Sequence, residues 1–230
     1  MAAPPLLLGH RGARATKTVP ENTLPSFDLA LSHGCDGFEF DVRGTIDGRS
    51  LICHDAFVGK LKVCQVTANQ LPCCPLLEDV LRHCAHRAFL DIELKVAGLE
   101  SCVLAALREC RSHGGCVVSS FLPEVVMEFK ARSATIPVGI ICDSQAQLQR
   151  WHRLPVEFVI AHHRLVSEQL MHDVHAAGRK LFAWTVNDPA SMLRLASWGI
   201  DAIISDQTEL MVQTFKPHNA ATSRSDPTNA

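Results

Sequence analysis

Two short stretches carry paired acids at a spacing that points to chemistry. In residues 37–43 (GFEFDVR), Phe38, Phe40 and Val42 alternate with Glu39, Asp41 and Arg43. In residues 89–95 (FLDIELK), Leu90, Ile92 and Leu94 alternate with Asp91, Glu93 and Lys95. A period of two is that of a strand, so each stretch has one apolar face and one acidic face. Carboxylates are seldom buried unless they are paired or hold a metal, so these polar faces are expected to line an open site. Glu39, Asp41 and Glu93 supply oxygen ligands, and the sequence has no HxH, HExxH or CxxC spacing. That donor set favours a hard cation, Mg²⁺ or Ca²⁺, over zinc. Arg11 and Lys95 add positive charge beside such an ion, which implies an anionic ligand, most naturally a phosphate. His10 and His54 each follow an apolar run, and imidazole, with an unperturbed pKa of ~6.5, suits proton transfer near neutrality. Asp91 lies one pleat deeper than Glu93 and is expected to be hydrogen-bonded rather than a ligand. Arg43 is expected to pair with an acid at its strand end, and His162 and His163 to be structural or surface residues.

The elements that must position these groups follow from periodicity and punctuation. Strands are expected at 5–9, 37–43, 50–53, 88–95, 116–121, 137–142, 157–161, 180–186 and 201–205. Helices are expected at 23–33, 76–84, 99–112, 123–132, 145–152, 167–177, 189–197 and 208–215, with Asn22 as the first helix's N-cap. Residues 56–75, interrupted by Gly59, Pro72 and Pro75, read as irregular. Leaving aside 50–53, the pattern is eight βα units, which in a chain of 230 residues predicts an α/β fold: a single-domain (β/α)8 TIM barrel over 1–216. An open doubly wound sheet is disfavoured because no GxGxxG follows the first strand. Barrel active sites lie at the C-terminal ends of the strands. His10, the two acidic stretches and His54 all fall at such ends. Residues 217–230 (PHNAATSRSDPTNA) lack periodicity and are expected to form a disordered polar tail.

Composition excludes several other classes. With 47% hydrophobic and 20% charged residues, the chain has too much apolar material for a disordered protein. The net charge of −2 comes without a basic block, which argues against nucleic acid as a partner. No apolar run reaches the ~20 residues of a membrane span, so no stable membrane insertion is expected. The first eight residues lack a basic n-region and a cleavage site, which leads to the expectation of a cytoplasmic protein. The ten cysteines read as reduced packing residues rather than a disulfide framework. There is no GxSxG for a serine hydrolase.

The ordered set Gly9-His10-Arg11-Gly12, Pro20-Glu21-Asn22-Thr23, Glu39-x-Asp41, His54-Asp55, Glu93-Leu94-Lys95, Trp184-Thr185-Val186-Asn187 and Gly199 to Asp206 resembles the glycerophosphodiester phosphodiesterase family. The motifs run in family order from residue 9 to 206. Two departures stand out: the segment after Asp55 is short and lacks the usual Arg-Thr-Thr, and Ser205 replaces a threonine. The resemblance implies a TIM barrel, a divalent cation, and hydrolysis of small glycerophosphodiesters to sn-glycerol 3-phosphate and an alcohol through a cyclic phosphate. By motif, His10 and His54 match the acid/base pair, and Glu39, Asp41 and Glu93 the metal ligands. Arg11 and Lys95 match phosphate contacts, Trp184 an aromatic beside the substrate, and Glu21 and Asn22 supporting or capping positions. Two alternatives stand beside this reading. One is a lysophospholipase D-like activity on lysolipids, for which Phe57, Val58, Leu61 and Val63 are the candidate contact. The other is a barrel that binds phosphate compounds without catalysis.

Overall fold

The computed structural model describes residues 4–110 and 113–216. The chain opens with β1 (Leu6–His10), α1 (Leu24–Ser32), β2 (Gly37–Gly44) and β3 (Ser50–Ile52). Two short strands, β4 (Phe57–Val58) and β5 (Leu61–Lys62), precede α2 (Leu77–Cys84). Regular alternation follows: β6 (Phe89–Leu94), α3 (Glu100–Glu109), β7 (Cys116–Ser120), α4 (Pro123–Arg132), β8 (Val138–Cys142) and α5 (Gln145–Leu148). It continues through β9 (Phe158–His162), α6 (Glu168–Ala176), β10 (Lys180–Trp184), α7 (Pro189–Ser197), β11 (Ala202–Ser205) and α8 (Thr208–Phe215).

Eight parallel strands, in the order β1-β11-β10-β9-β8-β7-β6-β2, close into a barrel because β2 pairs back onto β1. β3 adds antiparallel to β2. The (β/α)8 expectation is met, and so is the alternation that led to it. Phe38, Phe40 and Val42 face the helices, where the Phe27 ring of α1 stacks on Phe38 at 4.2 Å between centroids. Leu90, Ile92 and Leu94 join the same layer. The opposite parity points into the barrel. A separate apolar plug fills part of that interior: Leu8, Val117, Phe158, Ile160, Phe182 and Ile204 pack there, with Phe158 and Phe182 edge to face at 5.0 Å. Burying side chains of this size contributes roughly 1.5–3 kcal/mol each.

Several expectations need correction. The cap of α1 is Thr23, whose extended backbone lets its side chain accept from Ser26 N; Asn22 instead has φ of 58° and sends its amide elsewhere. Asparagine tolerates that left-handed conformation, which a cap does not use. The helix expected at 145–152 is a four-residue α5 followed by a 3₁₀ turn at Trp151–Arg153. Residues 56–75 are not wholly irregular: β4 and β5 form an antiparallel hairpin, and 3₁₀ turns follow at Val63–Gln65 and Ala68–Gln70. The expected tail, 217–230, and the last two residues of the helix expected at 99–112 lie outside the described residues.

Barrel closure sets one steric demand near the site. Gly37 opens β2 between β1 and β6, and a Cβ there would stand 1.9 Å from the Phe89 carbonyl oxygen. Since backbone is the obstacle, no rotamer change relieves it. Gly37→Ala is expected to destabilise the protein by at least ~2 kcal/mol, read as a lower urea midpoint; an unchanged midpoint would contradict this packing.

Candidate active site

Strand register brings the acids together. Glu39 lies beside Asp91 and Asp41 beside Glu93 across the β2–β6 pair, while His10 at the end of β1 lies beside Glu39. Parity sends these side chains inward, to the end of the barrel where the strands finish. Carboxylate oxygens of Glu39, Asp41 and Glu93 lie within 4.8 Å of one another, and all three residues are buried. Glu39 Oε1 has no hydrogen-bond donor in the described structure. Three converging carboxylates, one with an unpartnered buried oxygen, fit a hard divalent cation.

The loop after β1 is shaped to add positive charge. Arg11 has φ of 52° and Gly12 of 80°, so the chain curls sharply; a Cβ on Gly12 would stand 2.3 Å from Ser26 Oγ. The curl points Arg11 N at Glu39 Oε2, 3.0 Å away. The guanidinium spans Asp41 Oδ2 at 3.2 Å through Nε and Glu21 Oε1 at 2.7 Å through Nη1. Lys95, one residue past β6, places Nζ 2.6 Å from Glu93 Oε1 and 3.4 Å from Asp41 Oδ1. Asn22 Nδ2 donates to Asp41 Oδ2 at 2.8 Å, which is what its left-handed backbone achieves. Asp91 accepts from Ser119 Oγ at 2.6 Å, one step below the trio.

The electrostatics follow from that crowding. Burial, then the charges of Asp41, Glu93 and Asp91, push Glu39 well above the usual carboxylate range. Burial raises Glu93 to about 7, with Asp41 adding to the shift and Lys95 opposing it. Asp91 is likewise raised by burial to about 7, against its Ser119 hydrogen bond. Asp41 differs: burial would raise it, but Lys95, Arg11 and the Asn22 amide overcome that and hold it low. Burial also lowers His54, with Arg11 and Lys95 reinforcing the shift against the pull of Asp55 and Asp41. Lys95 moves up, because Glu93 and Asp41 outweigh its own burial.

Seven of the eight residues expected from sequence line one cleft: His10, Arg11, Glu39, His54, Glu93, Lys95 and Trp184. Asp41 sits just behind, 1% exposed. Trp184, at the end of β10, meets Phe121 edge to face at 5.5 Å, and its Nε1 is buried without a partner. His162 and His163 stack on each other, with His162 edge-on to Trp184. Arg43 makes no ion pair among the described residues; its Nε donates to the His54 carbonyl at 2.7 Å, which steadies the segment carrying that histidine. That carbonyl lies two residues past β3, the antiparallel partner of β2, and takes the place of the acid expected at this strand end.

Sequence reasoning gave Asp206 no role, although it stands in the last motif. Its Oδ1 lies 2.7 Å from His10 Nδ1. The pairing joins residues 196 apart and needs β1 and β11 to be neighbours, which only barrel closure reveals. The comparable partner of His54 is Asp55 at 2.8 Å, which is 79% exposed.

Comparison with known proteins agrees with this geometry. The model described as "Glycerophosphoryl diester phosphodiesterase family" matches residues 10–210. A glycerophosphodiester phosphodiesterase of Caldanaerobacter subterraneus is 28% identical, over 92% of this chain and 98% of its own length. Among solved structures, an Oleispira antarctica phosphodiesterase in complex with the product sn-glycerol-3-phosphate superposes with a TM-score of 0.82. It is 25% identical, and the match covers 92% of this chain and 96% of that one. A Thermotoga maritima glycerophosphodiester phosphodiesterase gives 0.80 at 23% identity, covering 93% and 99%, and supports the fold.

Crowded acids respond to protons and to cations alike. A carboxyl group raised in the folded state stabilises the fold below its unfolded pKa of ~4, and that contribution is lost as pH rises through the folded value. For Glu93 and Asp91 the window runs from ~4 to about 7. The melting temperature of chelated protein is therefore expected to fall between pH 5.5 and 8, and added Mg²⁺ or Ca²⁺ to restore more of it at pH 8 than at pH 5.5. A metal effect independent of pH would contradict the assignment.

Proposed function

The chain belongs to the glycerophosphoryl diester phosphodiesterase family and is an enzyme of that class, a phosphoric diester hydrolase; from there we propose how its own residues carry the reaction. The substrate is a small glycerophosphodiester, and the products are sn-glycerol 3-phosphate and an alcohol. What carries this reading is the convergence of three buried carboxylates with Lys95, Arg11 and two imidazoles in one cleft. Glu39, Asp41 and Glu93 would hold a divalent cation, Mg²⁺ or Ca²⁺, which when bound draws electron density from the phosphoryl oxygens.

Arg11 and Lys95 offset the phosphate's negative charge and orient it against the carboxylate trio. One imidazole takes the proton of the glycerol 2-hydroxyl as that oxygen attacks phosphorus, and the other protonates the departing alcohol oxygen. A five-membered cyclic phosphate results. Water opens it with the two proton transfers reversed. Trp184 and Phe121 supply an apolar wall that limits water beside the phosphate, and Trp184 Nε1 offers a free N–H to a substrate oxygen.

A second reading, release of the head group from lysolipids, has one observation in its favour. The β4–β5 hairpin exposes Phe57 (54%) and Leu61 (39%), and Phe57 and Val58 share a surface hollow with His54 and Asp55. For a barrel that binds without catalysis, the pairing of both histidines with the full carboxylate set has no use. All ten cysteines are free, which fits a reducing compartment and supports a cytoplasmic site of action. No helix among the described residues is long and apolar enough to cross a membrane.

Turnover of glycerophosphocholine and of lysophosphatidylcholine, each with and without chelator, separates these readings. Glycerophosphocholine is expected to be the better substrate, with activity lost in chelator. Removing either imidazole, as in His10→Ala or His54→Ala, is expected to lower kcat by about 10²-fold or more. Full activity in chelator would defeat the cation assignment, preference for lysophosphatidylcholine would favour the second reading, and release from neither substrate the binding role.

A further inference from the structure

We infer that Asp206 and Asn187 form a clamp that fixes the orientation and tautomer of His10, leaving Nε2 as its working atom. The inference rests on the reading of His10 as an acid/base group. It begins with topology. β1 and β11 pair in parallel with Gly9 opposite Ser205, so residues 10 and 206 leave the barrel side by side. Asp206 Oδ1 then meets His10 Nδ1 at 2.7 Å.

The direction of that hydrogen bond follows from the charge state of Asp206. Burial would raise its pKa, but the hydrogen bond to His10, followed by that of the Asn187 amide and by the nearby Arg14 guanidinium, overcomes this and holds it at about 2. An ionised carboxylate only accepts, so the shared proton belongs to His10 Nδ1. A neutral imidazole carries a single N–H, which leaves the lone pair on Nε2. Nε2 is the atom that faces the carboxylate trio, 3.8 Å from Glu39 Oε2.

Asn187 makes the arrangement one-way. Its Oδ1 accepts from the Asp206 backbone N–H at 2.9 Å and from Ser205 Oγ at 3.1 Å. A backbone N–H can only donate, so the amide cannot flip, and Nδ2 is committed to Asp206 Oδ2 at 2.8 Å. Arg14 Nη1 adds a contact to Oδ1 at 3.3 Å. Both carboxylate oxygens are thereby occupied by donors, and the carboxylate has one stable pose. His54 has nothing comparable, since Asp55 is exposed and follows it directly in sequence. Asp206 and Asn187 are thus positioning residues for one histidine and not for the other.

The polarity of the clamp gives a specific test. In Asp206→Asn the new amide must turn its carbonyl toward the donating Asn187 Nδ2. Its NH₂ then faces His10, which makes Nδ1 an acceptor and moves the imidazole proton to Nε2. Adding Asn187→Asp reverses this: the carboxylate now at 187 still accepts from the residue-206 backbone and from Ser205, and it also accepts the amide's NH₂. The amide carbonyl is left facing His10 Nδ1–H. Net charge is the same in the double variant as in the wild type.

The measurements are kcat and KM for glycerophosphocholine, and the His10 tautomer from ¹⁵N shifts of histidine-labelled full-length protein, assigned by the signal missing in His10→Gln. Asp206→Asn is expected to lower kcat by about 10²-fold with KM within about threefold, and to move the proton to Nε2. The exchange variant is expected to restore the Nδ1–H tautomer and at least tenfold of the lost kcat. A purely structural role predicts instead that the double variant is no better than the single one. An unchanged tautomer in Asp206→Asn, whatever its activity, would overturn the clamp. A changed tautomer with unchanged kcat would overturn the reading of His10 as an acid/base group.

Discussion

The structure turns on the mutual repulsion of four buried acids at the mouth of a barrel. Glu39, Asp41, Asp91 and Glu93 point inward from two adjacent strands and are almost entirely shielded from water. At the ~5 Å separations involved, two ionised carboxylates repel by on the order of 3 kcal/mol at an effective dielectric constant of ~20. Lys95 and Arg11 offset part of this, and Asp41, whose carboxylate pairs with both side chains, is the acid that stays low. Glu39 and Glu93 are displaced upward. A site in which acids are forced toward their protonated forms has a place prepared for another positive charge. The apolar layers of the barrel offset that cost: the phenylalanine stack lies under β2, and the interior plug of Leu8, Val117, Phe158 and Phe182 fills the barrel, with Ile160 and Ile204 bordering the polar cleft.

The same constraint explains the second layer of polar contacts. Ser119 holds Asp91, Asn22 holds Asp41, and Glu21 pairs with both Arg11 and Arg14. Each leaves a charged group with a fixed direction, and preorganised charge is the largest lever such a site has on a phosphoryl group. The two histidines are held differently. His10 is tied through Asp206 across the seam where the barrel closes, whereas His54 rides on a segment steadied by Arg43 and opens more to solvent.

Much of this was legible before any coordinates. Alternation in 37–43 and 89–95 placed the acids on one parity, and the rule that barrel sites lie at strand C-termini placed His10 and His54 near them. Those inferences needed only local period and element order. What was not legible depended on contacts across the fold. Asp206 meets His10 only because β11 neighbours β1. Asn22 looks like a cap by residue type, yet its left-handed backbone exists to reach Asp41. Arg43 has the parity of the acids, but the nearest available acceptor is a carbonyl. The β4–β5 hairpin was missed because two-residue strands leave no periodicity to read.

We propose that the carboxylate trio is a cation site held under electrostatic strain. Isothermal titration of the chelated full-length protein with Mg²⁺ or Ca²⁺ at pH 7, in buffers of different ionisation enthalpy, tests it most directly. One ion per chain is expected, with net proton release as Glu39 and Glu93 give up their protons, and with binding lost in Glu93→Gln. Binding without proton release, or undiminished in Glu93→Gln, would contradict the account.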